Sequence, residues 1–417
     1  MIDLAPPTSF WDHVSLRWLT VRRLRAQAVV LAICFWAVFA VDFATPGLFD
    51  RAGNIKFQDF LPLYISGQLV TEHRAVDLYN RGIQQTAIRS LIQQPTRVDV
   101  PYLYGPQVGL LLQPLATLAF PVAARLWVCL SLFVCFLCLF ATWKHCPNLW
   151  PHACFVVLAT LAFPPLFHFF VRGQLSALAL ACFAAAFVAM RANRRWLAGI
   201  ALGFLAFKPQ FLVAIPLILL LARAWRILAG LLLSSAAQLA FARIYFGSEV
   251  MSAYIGMLRR MPDWIDIAEI PLASVQMHSL RSFWNLLIPG PRVVLALYAL
   301  SSVAAIWITA RIWKSRLPLP LRFAALTVAA VLVNPHIFVY DLLVLAPALM
   351  LVVDWCLAKD QHALVPTLEF LAYLAYVLPL FGPLARWTHL QLSVIVFVAI
   401  LWTLWRLPVL ELSPGSC

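Results

Sequence analysis

Long apolar runs separated by short polar turns fill this chain from one end to the other. Roughly 11 to 13 of these runs approach the ~20 residues that a helix needs to cross a bilayer. They lack the alternation of barrel strands, and in lipid only helices or closed barrels satisfy every backbone polar group. The pattern predicts an all-α polytopic membrane protein. Its first run, about Gln27 to Phe49, is too long for a signal-peptide core and lacks an A-x-A cleavage pattern, so it reads as an anchor that stays. Two longer polar stretches, 50–105 and 247–289, interrupt the runs. The first contains helix-like pieces around Phe60 to Glu72 and Ile83 to Gln93, punctuated by Gly and Pro. Between Gly105 and Arg191 the number of crossings stays open. The run from Gln107 to Phe120 is short and holds Pro114, and Pro164 and Pro165 interrupt the next. The organisation predicted is an N-terminal segment 1–26, a core 27–356 carrying both polar stretches, and C-terminal spans with a short tail over 357–417.

Composition agrees: 63% of the residues are apolar and only 12% charged, against about 25% charged in soluble domains. The net charge of +14 does not mark a nucleic-acid partner, because the basic residues cluster at the ends of apolar runs. Arg17, Arg22, Arg23 and Arg25 precede the first run, and Arg191, Arg194 and Arg195 follow a later one. Arg223 with Arg226, and Arg311, Lys314, Arg316 and Arg322, mark two further turns. By the positive-inside rule these ends and the N-terminus are cytoplasmic, which puts both polar stretches outside. The nine cysteines fall mostly inside apolar runs. Cys135 and Cys138 form a C-x-x-C without His or acidic neighbours and read as small buried hydrophobes.

Polar groups at membrane depth are costly and therefore functional suspects. Six clusters project toward the outer face: Phe57-Gln58-Asp59-Phe60 with Tyr64; Tyr102 to Gln107, including Tyr104; Arg172-Gly173-Gln174; Lys208-Pro209-Gln210; His278-Ser279-Leu280-Arg281; and Asn334-Pro335-His336 with Tyr340-Asp341. They supply carboxylates, cations, amides and an imidazole. That set suits group transfer from a lipid phosphate to a hydroxyl: a carboxylate takes the proton, cations hold the departing phosphate, and amides and aromatics hold the sugar. Each cluster also has a plainer reading. Asp59 can cap the helix after it, Lys208 can snorkel beside a helix break, Arg172 can anchor at the interface and His336 can sit in a turn. His278, Asp99 and Asp263 read as ordinary loop residues, and Gly199 and Gly203 as close helix packing.

The order of these clusters resembles glycosyltransferase family 87. The likeness runs through Asp59-Phe60 followed by Tyr64, Leu78-Tyr79, Tyr104-Gly105-Pro106 and Gln113-Pro114-Leu115. It continues through Gly173-Gln174, then Gly199, Gly203 and Lys208-Pro209-Gln210, then Ser279-Leu280. Two departures stand out. Gln107 occupies the place of the family's second proline, and the late element reads Asn334-Pro335-His336, so the histidine's role falls to His336 or to Asp341. The resemblance implies a GT-C-type bundle with structured outer loops, in a bacterial cytoplasmic membrane with the site facing outside. It implies an inverting transfer of a sugar, mannose in characterised relatives, from a polyprenyl-phosphate donor to a lipid or glycan acceptor. On that basis Asp59 is the base and His336 a second catalytic group. Lys208, Arg172 and Arg281 bind the donor phosphate, and Tyr64, Tyr104, Gln174, Gln210 and Asp341 contact sugar or acceptor. No cofactor and no metal are expected, since no compact Asp/Glu/His ligand set appears. A secondary transporter or flippase is the alternative, because intramembrane charges and broken helices also mark substrate pathways.

Overall fold

The structure, a computed structural model, describes residues 20–92, 101–266, 273–359 and 362–411. Arg17 and Asp99 lie outside the described residues, as does the side chain of Asp263. The described chain is helical, with two isolated antiparallel bridges, Phe49 with Ile55 and Met277 with Phe338.

The first half runs through α1 (Val21–Ala44), α2 (Leu61–Thr71), α3 (Arg81–Ile92), α4 (Gln107–Ala116), α5 (Phe120–Trp143), α6 (Ala153–Leu161), α7 (Pro164–Arg172) and α8 (Ser176–Arg191). The second half continues with α9 (Arg195–Gly203), α10 (Ile215–Leu221), α11 (Trp225–Asp266), α12 (Ala273–Gln276), α13 (Leu280–Leu287) and α14 (Pro291–Lys314). It closes with α15 (Leu319–Leu332), α16 (Leu345–Ala358), α17 (Val365–Val377), α18 (Ala385–Thr388) and α19 (Leu392–Glu411).

Six stretches among the described residues are long and apolar enough to cross a membrane. A seventh forms if the segments Pro147–Leu161 and Pro164–Arg172, bent by 47° at their junction, count as one span. The bend falls at Pro164-Pro165, where proline lacks the N–H that would continue the helix. Six shorter apolar helices supply the remaining predicted runs. Large side chains such as Ile33, Phe133, Ile244 and Leu300 point outward from the long helices. In water that would be costly; in lipid it is the expected exterior.

The first polar stretch is less of a loop than its composition suggests. Its two predicted helical pieces form as α2 and α3, and α2 is buried along nearly its whole length. It crosses α4 at backbone distance: a Cβ on Gly67 would stand 2.8 Å from the Leu112 carbonyl oxygen. The second stretch differs more from expectation. Gly247, at φ 86° and ψ 178°, kinks α11 but does not end it, and the helix runs on to Asp266.

Glycines also set the closest crossing, α9 against α11. A Cβ on Gly199 would stand 2.1 Å from the Ile227 carbonyl oxygen, and one on Gly203 2.4 Å from that of Leu231. Backbone meets backbone here, as the small-residue spacing predicted. Gly199→Ala must force the pair apart and is expected to cost about 1–3 kcal/mol, the range of overpacked cores. Thermal unfolding of the purified protein checks this; an unchanged midpoint would mean that the crossing has slack.

The basic clusters and the polar clusters occupy opposite helix ends. α8 runs from Ser176 to Arg191, α9 starts at Arg195 and leads to Lys208, and α15 leads away from the Arg311–Arg322 region to Asn334. α16 leads from Asp341 to Lys359. The polar clusters therefore meet at one end of the bundle.

Candidate active site

Asp59 sits in a short 3₁₀ turn, Gln58–Phe60, that follows the first span. The residue before the turn, Phe57, adopts the left-handed region at φ 55°, ψ 40°. That conformation is uncommon for a bulky residue and persists only where surroundings enforce it. The enforcement is visible. Gly173, itself at φ +73°, passes so close that a Cβ on it would stand 3.1 Å from Phe60 Cβ and 3.3 Å from Phe57 Cβ. Behind the turn Phe60 stacks on Trp127 with ring centroids 5.9 Å apart, and Trp127 Nε1 donates to the Gly173 carbonyl at 3.0 Å. Asp59 is held from behind by an aromatic wall.

Its carboxylate does not cap α2, which begins without a side-chain cap. Instead Gln174 Nε2 donates to Asp59 Oδ2 at 2.8 Å, and the Tyr104 hydroxyl donates to Gln174 Oε1 at 2.7 Å. These two partners fix the amide's orientation, since the reverse would face nitrogen to hydroxyl hydrogen and oxygen to carboxylate. Arg172 Nη1 lies 3.7 Å from Asp59 Oδ1, a Coulombic contact from a side chain that is 37% exposed. Gly173 makes this geometry possible: as the left-handed cap of α7 it reverses the chain between Arg172 and Gln174, so both face the same carboxylate. Burial raises the Asp59 pKa above its usual range, with Asp341 adding to the rise, while Arg172, Gln174 and Lys208 oppose it.

A second buried pair faces the first. Lys208 Nζ donates to Asp341 Oδ1, and the Ser176 hydroxyl donates to the same oxygen at 2.7 Å. Both charged residues are 2% exposed, so Lys208 does not snorkel. Its ammonium lies 5.9 Å from the Tyr104 ring centroid and 5.7 Å from that of Tyr340, within cation–π range. Tyr104 thus joins the two halves, its hydroxyl toward Asp59 through Gln174 and its ring beside Lys208. The tyrosine is itself steadied by Tyr79, whose hydroxyl donates to the Tyr104 carbonyl at 2.8 Å.

His336 stands at the edge of this cluster. Its backbone N–H donates to Asn334 Oδ1 at 2.9 Å, and its ring meets Phe338 edge-on at 4.9 Å. Burial lowers its pKa to about 4, so the imidazole is neutral near pH 7. Arg281, in the first turn of α13, is near enough for its charge to act on His336. The His336 segment is fastened by His278, whose N–H donates to the Ile337 carbonyl at 3.1 Å and whose Nδ1 pairs with Ser393 Oγ at 2.7 Å. His278 is a structural tie.

Asp59, Tyr104, Arg172, Gln174, Lys208 and Asp341 are brought together, with His336 beside them and Gln210 two residues beyond Lys208. Tyr64 is not. Its hydroxyl donates to the Leu118 carbonyl at 2.7 Å, in the turn between α4 and α5. Ser176 and Trp127 join the site without having been singled out beforehand, and Tyr340, named only as a neighbour of Asp341, contributes its ring beside Lys208. Ser176 lies two residues past Gln174 and Tyr340 next to Asp341, so neighbourhood was an available signal for both; Trp127, inside an apolar run, offered none. No three His, Cys, Asp or Glu side chains among the described residues are grouped as a metal site requires.

A bundle of membrane-crossing helices with carboxylates, cations and hydrogen-bonding groups converging at one end defines an integral membrane protein with a buried polar site. The model of glycosyltransferase family 87 matches residues 102–339, more than half of the chain, and the chain belongs to that family. No curated protein and no solved structure matches it. The protein is a glycosyltransferase, and membership decides against the carrier reading. Asp59, Tyr64 and Asp341 lie outside the matched residues; the other candidates lie within them.

Proposed function

We propose that this enzyme transfers a sugar, mannose by resemblance, from a polyprenyl-phosphate donor to a hydroxyl of a lipid or glycan acceptor on the outer face of the membrane. The observation that carries the reading is the buried Asp59 carboxylate, hydrogen-bonded by Gln174 and faced by the cations of Arg172 and Lys208. Asp59 takes the proton of the acceptor hydroxyl as its oxygen attacks the anomeric carbon. The bond to the phosphate oxygen breaks on the opposite face, which inverts the centre. Phosphate leaves as an anion, and Lys208 and Arg172, with Arg281 at the margin, stabilise the developing charge. Asp341 and Ser176 hold the Lys208 ammonium in place, while Tyr104 and Gln174 orient the base. No protonated leaving-group acid is required, which agrees with a neutral His336.

A lipid-linked donor also needs somewhere for its hydrocarbon chain. An apolar cavity of about 310 Å³ lies between α1, α5, α6, α7, α16 and α17. It reaches Leu343, two residues from Asp341, and Leu166, six from Arg172. Its size falls within the roughly 300–1,000 Å³ of small-molecule pockets, and its lining is mainly apolar, with Gln27, His152, Thr160, Glu369, Tyr373 and Tyr376 as its polar members.

The test is transfer from radiolabelled polyprenyl-phosphate-mannose by the purified protein, followed across pH. Turnover is expected, with kcat falling on the acid side as Asp59 becomes protonated. Because burial raises that pKa, the acid limb should lie above the ~3.9 of an ordinary aspartate. A rate that stays flat down to pH 4 would remove Asp59 from the base role.

A further inference from the structure

Half of the buried side-chain polar atoms without a partner, among the described residues, belong to four side chains on the segments around Tyr104, Lys208 and Asp341. They are Gln107 Nε2 and Oε1, Gln210 Oε1, Asn334 Nδ2 and His336 Nδ1. A buried polar group left unpaired is costly, and most in folded proteins are satisfied. Orphans gathered beside reacting groups are the signature of a place where a ligand supplies the partners.

The four are connected through the site. Gln107 follows Tyr104 by three residues, and the N–H of the intervening Gly105 points at the Phe207 carbonyl, 3.4 Å away. The turn bearing Gln107 therefore lies against the residue before Lys208, and Gln210 lies two residues after it. On the other side, Lys208 and Asp341 both act on the charge of His336, and the Asn334 side-chain oxygen is already occupied by the His336 N–H. That leaves the Asn334 amide nitrogen as a donor without an acceptor.

Gln107 is the most unusual of these. Both ends of its amide are unpaired, one a donor and one an acceptor, which matches a hydroxyl that both accepts and donates. Its fold is accommodated by a glycine: a Cβ on Gly105 would stand 2.4 Å from Gln107 Oε1 and 2.7 Å from Nε2.

We propose that Gln107 recognises a hydroxyl of the transferred sugar, with Gln210, Asn334 and His336 completing a hydroxyl-binding subsite, and that Gln107 sets which sugar this chain accepts. The assignment deepens the donor reading above and rests on it for the reaction. The sugar subsite itself is testable apart from the lipid carrier.

The experiment compares the full-length protein with Gln107→Met, a change close to isosteric that deletes both amide groups. Turnover is measured with polyprenyl-phosphate-linked mannose, glucose, galactose and arabinose, and thermal shift with the same four sugars free at high concentration. The expected results are a kcat/KM lowered about 10- to 100-fold for the preferred donor, the effect of leaving one buried sugar hydroxyl unpaired, and reduced discrimination among the four. The ligand-free variant should melt at or above the wild-type temperature, because an unpaired buried amide has been removed, and should lose the stabilisation given by the preferred free sugar. If the wild type turns over none of the donors yet is stabilised by a free sugar and Gln107→Met is not, the polyprenyl-phosphate reading falls and the subsite stands. Two results overturn the subsite. One is a variant that melts several degrees lower without ligand, which marks Gln107 as structural. The other is a variant whose sugar preference, turnover and sugar-induced shift, or lack of shift, equal those of the wild type.

Discussion

Asp59→Asn is expected to lower kcat by about 10²- to 10⁴-fold, the usual contribution of a positioned general base, without destabilising the protein. The asymmetry follows from what the carboxylate touches. Gln174 Nε2 donates to one oxygen of Asp59, and an asparagine can turn its own carbonyl to the same donor, so the hydrogen bond and the shape survive. The amide cannot take a proton at neutral pH. The variant also loses a buried charge, whose desolvation cost is larger than its 3.7 Å contact with a partly exposed Arg172 repays. Melting is therefore expected to be unchanged or slightly higher while kcat falls. Comparison of kcat with the unfolding midpoint on one preparation checks both halves. A variant with near-normal turnover would leave Asp59 with only an electrostatic or structural part.

Lys208→Ala should behave in the opposite way, losing stability and activity together. Lys208 and Asp341 are both buried, and the variant would leave the carboxylate with the Ser176 hydroxyl but without its ammonium partner. Removing one partner of a buried pair costs roughly 3–5 kcal/mol because the other charge is left uncompensated. The stability loss would by itself obscure any reading of donor binding. The double variant Lys208→Met with Asp341→Leu separates the effects. Replacing the whole pair with apolar side chains should recover most of the stability, since such exchanges are often neutral or better. Activity should stay low, with a raised KM for the lipid-phosphate donor. A single variant as stable as wild type would deny the buried pair its cost, and a double variant with normal KM would take Lys208 out of phosphate binding.

The helical membrane class, the two helical pieces of the first polar stretch and the glycine crossing were all legible in the sequence, because each follows from local composition or spacing. The gathering of Asp59, Gln174, Lys208 and Asp341 was legible only as a shared side of the membrane. Their pairings span 115 and 133 residues, and nothing local encodes which cation meets which carboxylate. Tyr64 shows the limit of neighbourhood. Asp59 lies in the 3₁₀ turn and Tyr64 in the first turn of α2, where its hydroxyl donates to the Leu118 carbonyl and not to Asp59. The stretch after Gly247 was misread as a loop because it is rich in polar residues. Its buried face was nonetheless present: Val250, Tyr254 and Met257 recur at helical spacing, and Tyr254 packs 5.6 Å from Tyr79. Glycine in that setting kinks the helix without stopping it, and only tertiary contact decides between the two.

The α9–α11 crossing ties the placement of Lys208 to residues well away from the candidate site. α9 has nine residues, so it is a strut about 13 Å long, and Lys208 rides on its far end through the turn Phe204–Phe207. Elsewhere a packed layer of side chains can absorb a displacement of a few tenths of an ångström. At Gly199 and Gly203 that layer is absent, so a displacement at the base is transmitted to the tip. A random-mutagenesis screen for inactive enzyme would consequently recover substitutions at these glycines alongside those at Asp59, and the mutational map of the active site would have an island roughly two helical turns away from the chemistry.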